Sequence, residues 1–120
     1  MIALVVDDDA VMQLVTTHVL AADGYTVHVA GTGADAIEIA QRERVDLILL
    51  DLTLDDEDGL DVAERLRAQV SHSFDIIVLS GRTDMDGDAR IATTRIAGII
   101  HKPFDPASLC DRIRSILLKP

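Results

Sequence analysis

Four short apolar runs in this 120-residue chain each lead to a residue able to do chemistry. Leu47-Ile48-Leu49-Leu50 runs into Asp51, and Ile2 to Val6 runs into Asp7-Asp8-Asp9. Ile76-Ile77-Val78-Leu79 ends on the hydroxyl of Ser80, and Gly98 to His101 ends on the ammonium of Lys102. Taken alone, Asp51 reads as a turn or helix-cap carboxylate. Taken together, the set describes an anionic pocket with one cation and one hydroxyl. Crowded carboxylates favour protonation unless a cation sits among them. An all-oxygen, partly hydrated donor set suits Mg²⁺, which binds through one or two carboxylates plus phosphate oxygens. Lys102 is a point charge suited to a phosphoryl oxygen, and Ser80 can donate to another. The chemistry this fits is phosphoryl transfer to an Asp nucleophile, giving an acyl phosphate. Nothing in the set supplies a general acid, so the donor must bring a good leaving group. His18, His28, His72 and His101 read as ordinary surface or half-buried histidines.

These residues are far apart in sequence, so the fold must bring them together. Short aliphatic runs bounded by polar residues predict strands buried on both faces. Between them lie helical spacings. Val11, Leu14, Val15, His18, Val19 and Ala22 form one stripe, with Asp9 as N-cap and Gly24 after the end. Tyr25 to Ala30 alternates as an edge strand. A turn at Gly31-Thr32-Gly33 precedes a helix over about 34–42, and an acidic loop, Thr53 to Asp58, leads to a third helix through Leu60, Ala63 and Leu66. Gly81 to Asp88 reads as a loop and about 88–95 as a weak fourth helix, because Thr93 and Thr94 lower its propensity. Asp105-Pro106 starts the last helix, with Leu109, Ile113, Ile116 and Leu117 as its stripe. Five β-α repeats predict an α/β fold: a doubly wound, five-stranded parallel sheet, flavodoxin-like in its order 2-1-3-4-5, with helices on both faces. That order gathers the carboxyl ends of strands 1, 3, 4 and 5 at one crevice.

Composition narrows the function. Apolar residues make up 48% and aromatics 2%, so the core is aliphatic. A net charge of −10 opposes direct nucleic-acid binding, which depends on Lys and Arg displacing counterions. The single Cys110 has no disulfide partner in the chain, which fits a reducing, cytoplasmic location. No apolar run approaches the ~20 residues of a membrane span. The expectation is one domain over residues 1–120.

The chain resembles the receiver domain of bacterial response regulators in two-component signalling, of the CheY-like kind. The resemblance rests on Leu4-Val5-Val6-Asp7-Asp8-Asp9, on Asp46 to Leu52 followed by Asp58-Gly59-Leu60, on Leu79-Ser80-Gly81-Arg82, and on Lys102-Pro103-Phe104. It implies that Asp51 accepts a phosphoryl group from a histidine kinase or phosphotransfer protein. It implies Mg²⁺ at Asp7, Asp8, Asp51 and the Thr53 backbone carbonyl, phosphoryl oxygens on Ser80 and Lys102, and a cis Lys102-Pro103 bond. The switched face would be the fourth helix, fifth strand and last helix, read by an output domain or partner. Three positions depart from the pattern: Ile99 where an aromatic is usual, Arg95 where Gly is common and φ > 0 would cost roughly 1 kcal/mol, and Asp55 where Pro is common. Ala97-Gly98 stand where dimerising relatives are often acidic, so that dimer is not expected. Thr53 and Arg82 flank the path of water to an acyl phosphate. The alternatives are a receiver-like adaptor that works without phosphorylation, a phosphohydrolase with an Asp nucleophile and a flavodoxin-like carrier. Thr53 argues against the phosphohydrolase, because it stands where such an enzyme needs an acid. The Asp7-Asp8-Asp9 loop argues against the flavodoxin-like carrier, because it would repel a flavin phosphate.

Overall fold

A computed structural model of the chain describes residues 1–54, 56–81 and 89–118. Strands and helices alternate: β1 (Ile2–Val6), α1 (Ala10–Ala22), β2 (Thr26–Ala30), α2 (Gly33–Arg42), β3 (Leu47–Asp51), α3 (Gly59–Gln69), β4 (Asp75–Ser80), α4 (Ala89–Thr93), β5 (Ile96–His101), then a 3-10 turn (Pro106–Ser108) and α5 (Leu109–Leu117). The sheet order is β2-β1-β3-β4-β5 and every pairing is parallel. This is the predicted doubly wound sheet.

The central strand β3 is buried at every residue. Successive side chains of a strand face opposite ways, and two cores result. Leu4, Val6, Ile48, Leu50, Ile76 and Val78 pack with Ile37, Leu60 and Leu66 of α2 and α3. Ala3, Val5, Leu47, Leu49, Ile77 and Leu79 pack with Leu20, Leu109 and Ile113 of α1 and α5. A strand trapped between two aliphatic layers cannot slip by one residue without exchanging its faces. Asp51, at its end, is therefore held in fixed register.

The helices start where side chains cap them. Asp9 accepts from the N–H groups of Val11 and Met12, Thr32 from Asp35, and Asp58 from Leu60. Asp105 accepts from the Ala107 N–H and opens the 3-10 turn, so α5 begins three residues later than Asp105-Pro106 suggested. Gly24, after α1, has φ 97°.

Two elements differ from expectation. The stripe predicted for α1 is rotated: the helix buries Thr16 and Leu20, while Val11 and Leu14 are 68% and 72% exposed. Apolar residues occur all round this helix, so periodicity did not select the inward face. The fourth helix is short in the described residues, Ala89–Thr93, and β5 starts at Ile96 rather than Gly98. Between them Arg95 takes φ 56°, the left-handed value its position demanded. Arg67 of α3 supports that corner: Nε donates to the Thr94 carbonyl at 3.0 Å, Nη2 to the Arg95 carbonyl at 2.9 Å and Nη1 to the Phe74 carbonyl at 2.8 Å. The loop predicted over Gly81 to Asp88 lies, beyond Gly81, outside the described residues, as do Asp55 and Arg82. No helix among the described residues is long and apolar enough to cross a membrane.

Candidate functional site

The carboxyl ends of β1, β3, β4 and β5 meet at one edge of the sheet. Asp51 ends β3 and is 4% exposed. Its two oxygens have different partners. Oδ1 accepts from the Thr53 N–H at 2.9 Å, and Oδ2 accepts from the Lys102 ammonium at 2.8 Å. Lys102 comes from just beyond β5; its own N–H donates to the Ser80 carbonyl at 2.7 Å, and its bond to Pro103 is cis. The approach of α3 to Asp51 requires Gly59, where a Cβ would lie 2.7 Å from the Asp51 carbonyl oxygen and 2.5 Å from Leu52 Cα.

Asp7 leaves β1 buried, 1% exposed. Its N–H donates to the Ala30 carbonyl at 3.0 Å, and its carbonyl accepts from Gln13 Nε2 at 2.5 Å. Oδ1 accepts from the Asp9 N–H at 2.9 Å. Oδ2 is buried and has no hydrogen-bond partner among the described residues. Oxygens of Asp7, Asp8 and Asp51 lie within 4.8 Å of one another. Burial raises the Asp7 carboxyl from its ordinary 3.8 to about 6; Asp51 and Asp8 push the same way, while the Asp9 N–H and Lys102 oppose.

A buried carboxylate oxygen without a donor, facing two further carboxylates, is costly unless a cation completes it. The donor set is all oxygen and sits beside a partly exposed mouth, where Asp8 is half-buried. These residues fit a hard divalent cation of the Mg²⁺ type. The structure thus brings together Asp7, Asp8, Asp51 and Lys102, and places the Thr53 N–H on Asp51. Ser80 is fully buried at the end of β4, paired in register with His101 beside Lys102.

A family model described as the response regulator receiver domain matches residues 3–114. The chain belongs to the response regulator receiver domain family. Phosphorylation-dependent switching is the standard function of such receivers. This receiver is 37% identical over 114 residues to the DNA-binding response regulator MtrA of Mycobacterium tuberculosis, covering 95% of this chain and 49% of that protein. It is 36% identical over 121 residues to the TorCAD operon transcriptional regulatory protein TorR of Escherichia coli, covering 95% and 49%. It spans about half the length of these curated relatives. Among solved structures, the receiver domain of TorR superposes with a TM-score of 0.82 at 33% identity, covering 97% of this chain and 95% of that one. A CheY-like receiver from Methanospirillum hungatei gives 0.85 at 25% identity, covering 97% and 92%.

Two residues at or near the receiver's site make contacts that had no signal in the sequence. Gln13 reads as one more polar helix residue, yet it holds the Asp7 carbonyl. Glu57 reads as part of an acidic loop, yet Oε2 accepts from the Gly33 N–H and Oε1 from Arg65 Nη2, both at 2.6 Å.

Proposed function

We propose that this receiver, residues 1–120 as one domain, accepts a phosphoryl group on Asp51 from a histidine kinase or phosphotransfer protein. The observation that carries the reading is the state of Asp51: a buried carboxylate at a rigid strand end, held by Lys102 and the Thr53 N–H, beside an Asp7 oxygen that has no partner among the described residues. Asp7, Asp8, Asp51 and the Thr53 carbonyl would hold Mg²⁺. When bound, that ion supplies positive charge against the phosphoryl oxygens.

The Asp51 oxygen attacks phosphorus in line. The P–N bond of the donor's phosphohistidine breaks, and its electron pair stays on the imidazole nitrogen, which is protonated from solvent. The Lys102 ammonium moves from the Asp51 carboxylate to a phosphoryl oxygen, and the Ser80 hydroxyl donates to another. Hydrolysis of the acyl phosphate later restores Asp51. The domain performs this transfer on itself and turns over no other substrate.

Transfer draws the Ser80 hydroxyl toward the phosphoryl group and re-seats Lys102, which directly follows β5, while Ser80 pairs in register with His101 of β5. The α4-β5-α5 face would then change shape for an output domain or partner protein. The donor protein needs a footing beside Asp51. An apolar cavity of about 420 Å³ lined by Met12, Val15, Lys102, Pro103, Phe104 and Pro106 offers one, since Lys102 joins it to Asp51. Cytoplasmic residence is part of the same proposal, since Cys110 has no disulfide partner in the chain.

Intact-mass measurement after incubation with acetyl phosphate and Mg²⁺ tests this. One phosphoryl group should be gained and then no more, and Asp51→Asn should gain none. An unmodified wild type would favour the adaptor reading. Continuous release of phosphate with multiple turnovers would favour a hydrolase.

A further inference from the structure

The loop that follows Asp51 carries Thr53, and its position decides whether the Thr53 N–H reaches Asp51 Oδ1. The loop is closed on itself by an antiparallel bridge between Thr53 and Asp58 and by the Gly59 N–H on the Leu52 carbonyl at 3.1 Å. It is fastened to the rest of the domain through Glu57. One oxygen of that carboxylate sits on the Gly33 N–H at the first turn of α2; the other takes Arg65 of α3. The electrostatics suit the arrangement, because a helix start favours a carboxylate and Arg65 adds a full positive charge.

The space is shaped for this contact. A Cβ on Gly33 would lie 2.5 Å from Arg65 Nη2, 2.6 Å from Glu57 Oε1 and 2.8 Å from Val62 Cγ2. Position 33 therefore admits no side chain while Glu57 is seated. As a stabilising ion pair the contact counts for little, since the Glu57 and Arg65 side chains are 25% and 43% exposed. As a geometric restraint it counts for more. Two charge-assisted hydrogen bonds in different directions fix both the position and the angle of the loop.

We propose that Glu57 is a positioning residue for the chemistry at Asp51: by tying the loop to α2 and α3 it holds Thr53 against the carboxylate and the cation site. This rests on the reading of Asp51 as phosphoacceptor. Glu57 touches no reacting atom. Its effect passes through the Thr53–Asp58 bridge to Thr53, and from there to Asp51.

The test compares wild type with Glu57→Ala, Glu57→Gln, Gly33→Ala and Asp56→Asn. Glu57→Ala releases the loop. Glu57→Gln keeps an oxygen for the Gly33 N–H but loses the pairing with Arg65, so it falls between wild type and Glu57→Ala. Gly33→Ala displaces the Glu57 carboxylate and the Arg65 guanidinium while removing neither charge. Asp56→Asn removes a charge from the exposed neighbour and serves as the electrostatic control. The readouts are hydrogen exchange of the Thr53 amide without metal, the Mg²⁺ dissociation constant, and the rate of labelling by acetyl phosphate. Glu57→Ala should exchange the Thr53 amide about ten-fold faster, weaken Mg²⁺ about ten-fold and slow labelling to match. Gly33→Ala should move all three the same way, and Asp56→Asn should change each by less than about two-fold. Glu57→Ala within about two-fold of wild type, or an equal effect from Asp56→Asn, overturns the proposal while leaving the site reading intact. A wild type that binds no Mg²⁺ and takes no phosphoryl group overturns both.

Discussion

Replacing Asp7 by Asn should make the metal-free domain more stable at neutral pH. Burial and the two neighbouring carboxylates raise the Asp7 carboxyl from 3.8 to about 6. A carboxyl with a raised value in the folded state binds protons more tightly there than in the unfolded chain. Between pH 3.8 and about 6 the folded state therefore holds the extra proton, and stability falls as pH rises through that window. Above it the loss is complete, about 3 kcal/mol at 1.36 kcal/mol per pH unit. Asn carries no charge. Its oxygen can keep the Asp9 N–H, and its amide places a donor where Oδ2 now lies unpaired. The variant should thus recover most of that loss, worth roughly 10 °C in melting temperature for a domain of this size.

Urea unfolding in chelator at pH 7.5 and again at pH 4.5 measures the effect. At pH 7.5 the variant should lead by up to about 3 kcal/mol; at pH 4.5, where Asp7 is mostly protonated in the fold but mostly ionised in the unfolded chain, the lead should shrink to about 1 kcal/mol. Saturating Mg²⁺ should narrow or reverse the order. A cation at one hundred times its dissociation constant adds about 2.7 kcal/mol to the wild type, and the variant has lost a ligand. An Asp7→Asn protein less stable than wild type in chelator at pH 7.5 would refute the reasoning. So would a difference that does not vary with pH.

Four further outcomes follow from the geometry. Arg67→Ala should cost about 2 kcal/mol in urea unfolding, because it strips donors from the Phe74, Thr94 and Arg95 carbonyls; Arg67→Lys should recover less than half of that, since an ammonium cannot reach three separate acceptors. Arg95→Gly should stabilise by roughly 0.5–1 kcal/mol, because φ 56° costs a side-chain residue and not glycine. Lys102→Ala should slow labelling by acetyl phosphate by at least about ten-fold, since it removes the cation on Asp51 Oδ2 that would meet the phosphoryl group. The acyl phosphate should outlast a few seconds, because neither Thr53 nor Arg82 is an acid or amide able to orient water; a half-life shorter than that in a radiolabel chase would sink the idea.

The sheet was legible because its signals are local. Leu47 to Leu50 is too short for a helix and too apolar for a loop, and four such runs in βα alternation leave few topologies. Asp9 and Asp105 announced their caps in the same local way. The α1 face was not legible, because the apolar Met12 and Leu20 lie outside the stripe of Val11, Leu14, Val15 and Val19, and only docking against the sheet chooses between the two faces. Arg67 escaped notice for a different reason. Its partners at 94 and 95 lie 27 and 28 residues away, and no period in the chain connects a guanidinium on one helix to carbonyls at the end of another.

The site shows the same division between local and distant information. Each strand end carries its own candidate residue, so Asp7, Asp51, Ser80 and Lys102 could be read one by one, and the topology brings those strand ends to one edge of the sheet. Their individual states could not be read this way. Asp7 and Asp51 are both buried aspartates at strand ends, yet Asp51 is matched at both oxygens by Thr53 and Lys102 while Asp7 has one oxygen satisfied and one without a partner among the described residues. That asymmetry comes from where the loops lie, and Gln13, Gly59 and Glu57 hold those loops from three different helices or turns. The asymmetry also divides the work. On the proposed reading, the carboxylate with two matched oxygens would be held ready as the nucleophile, and the one with a single matched oxygen would be the stronger draw for a cation. Exchanging the two roles would require moving Lys102 from the end of β5 to the end of β1, three strands away across the sheet.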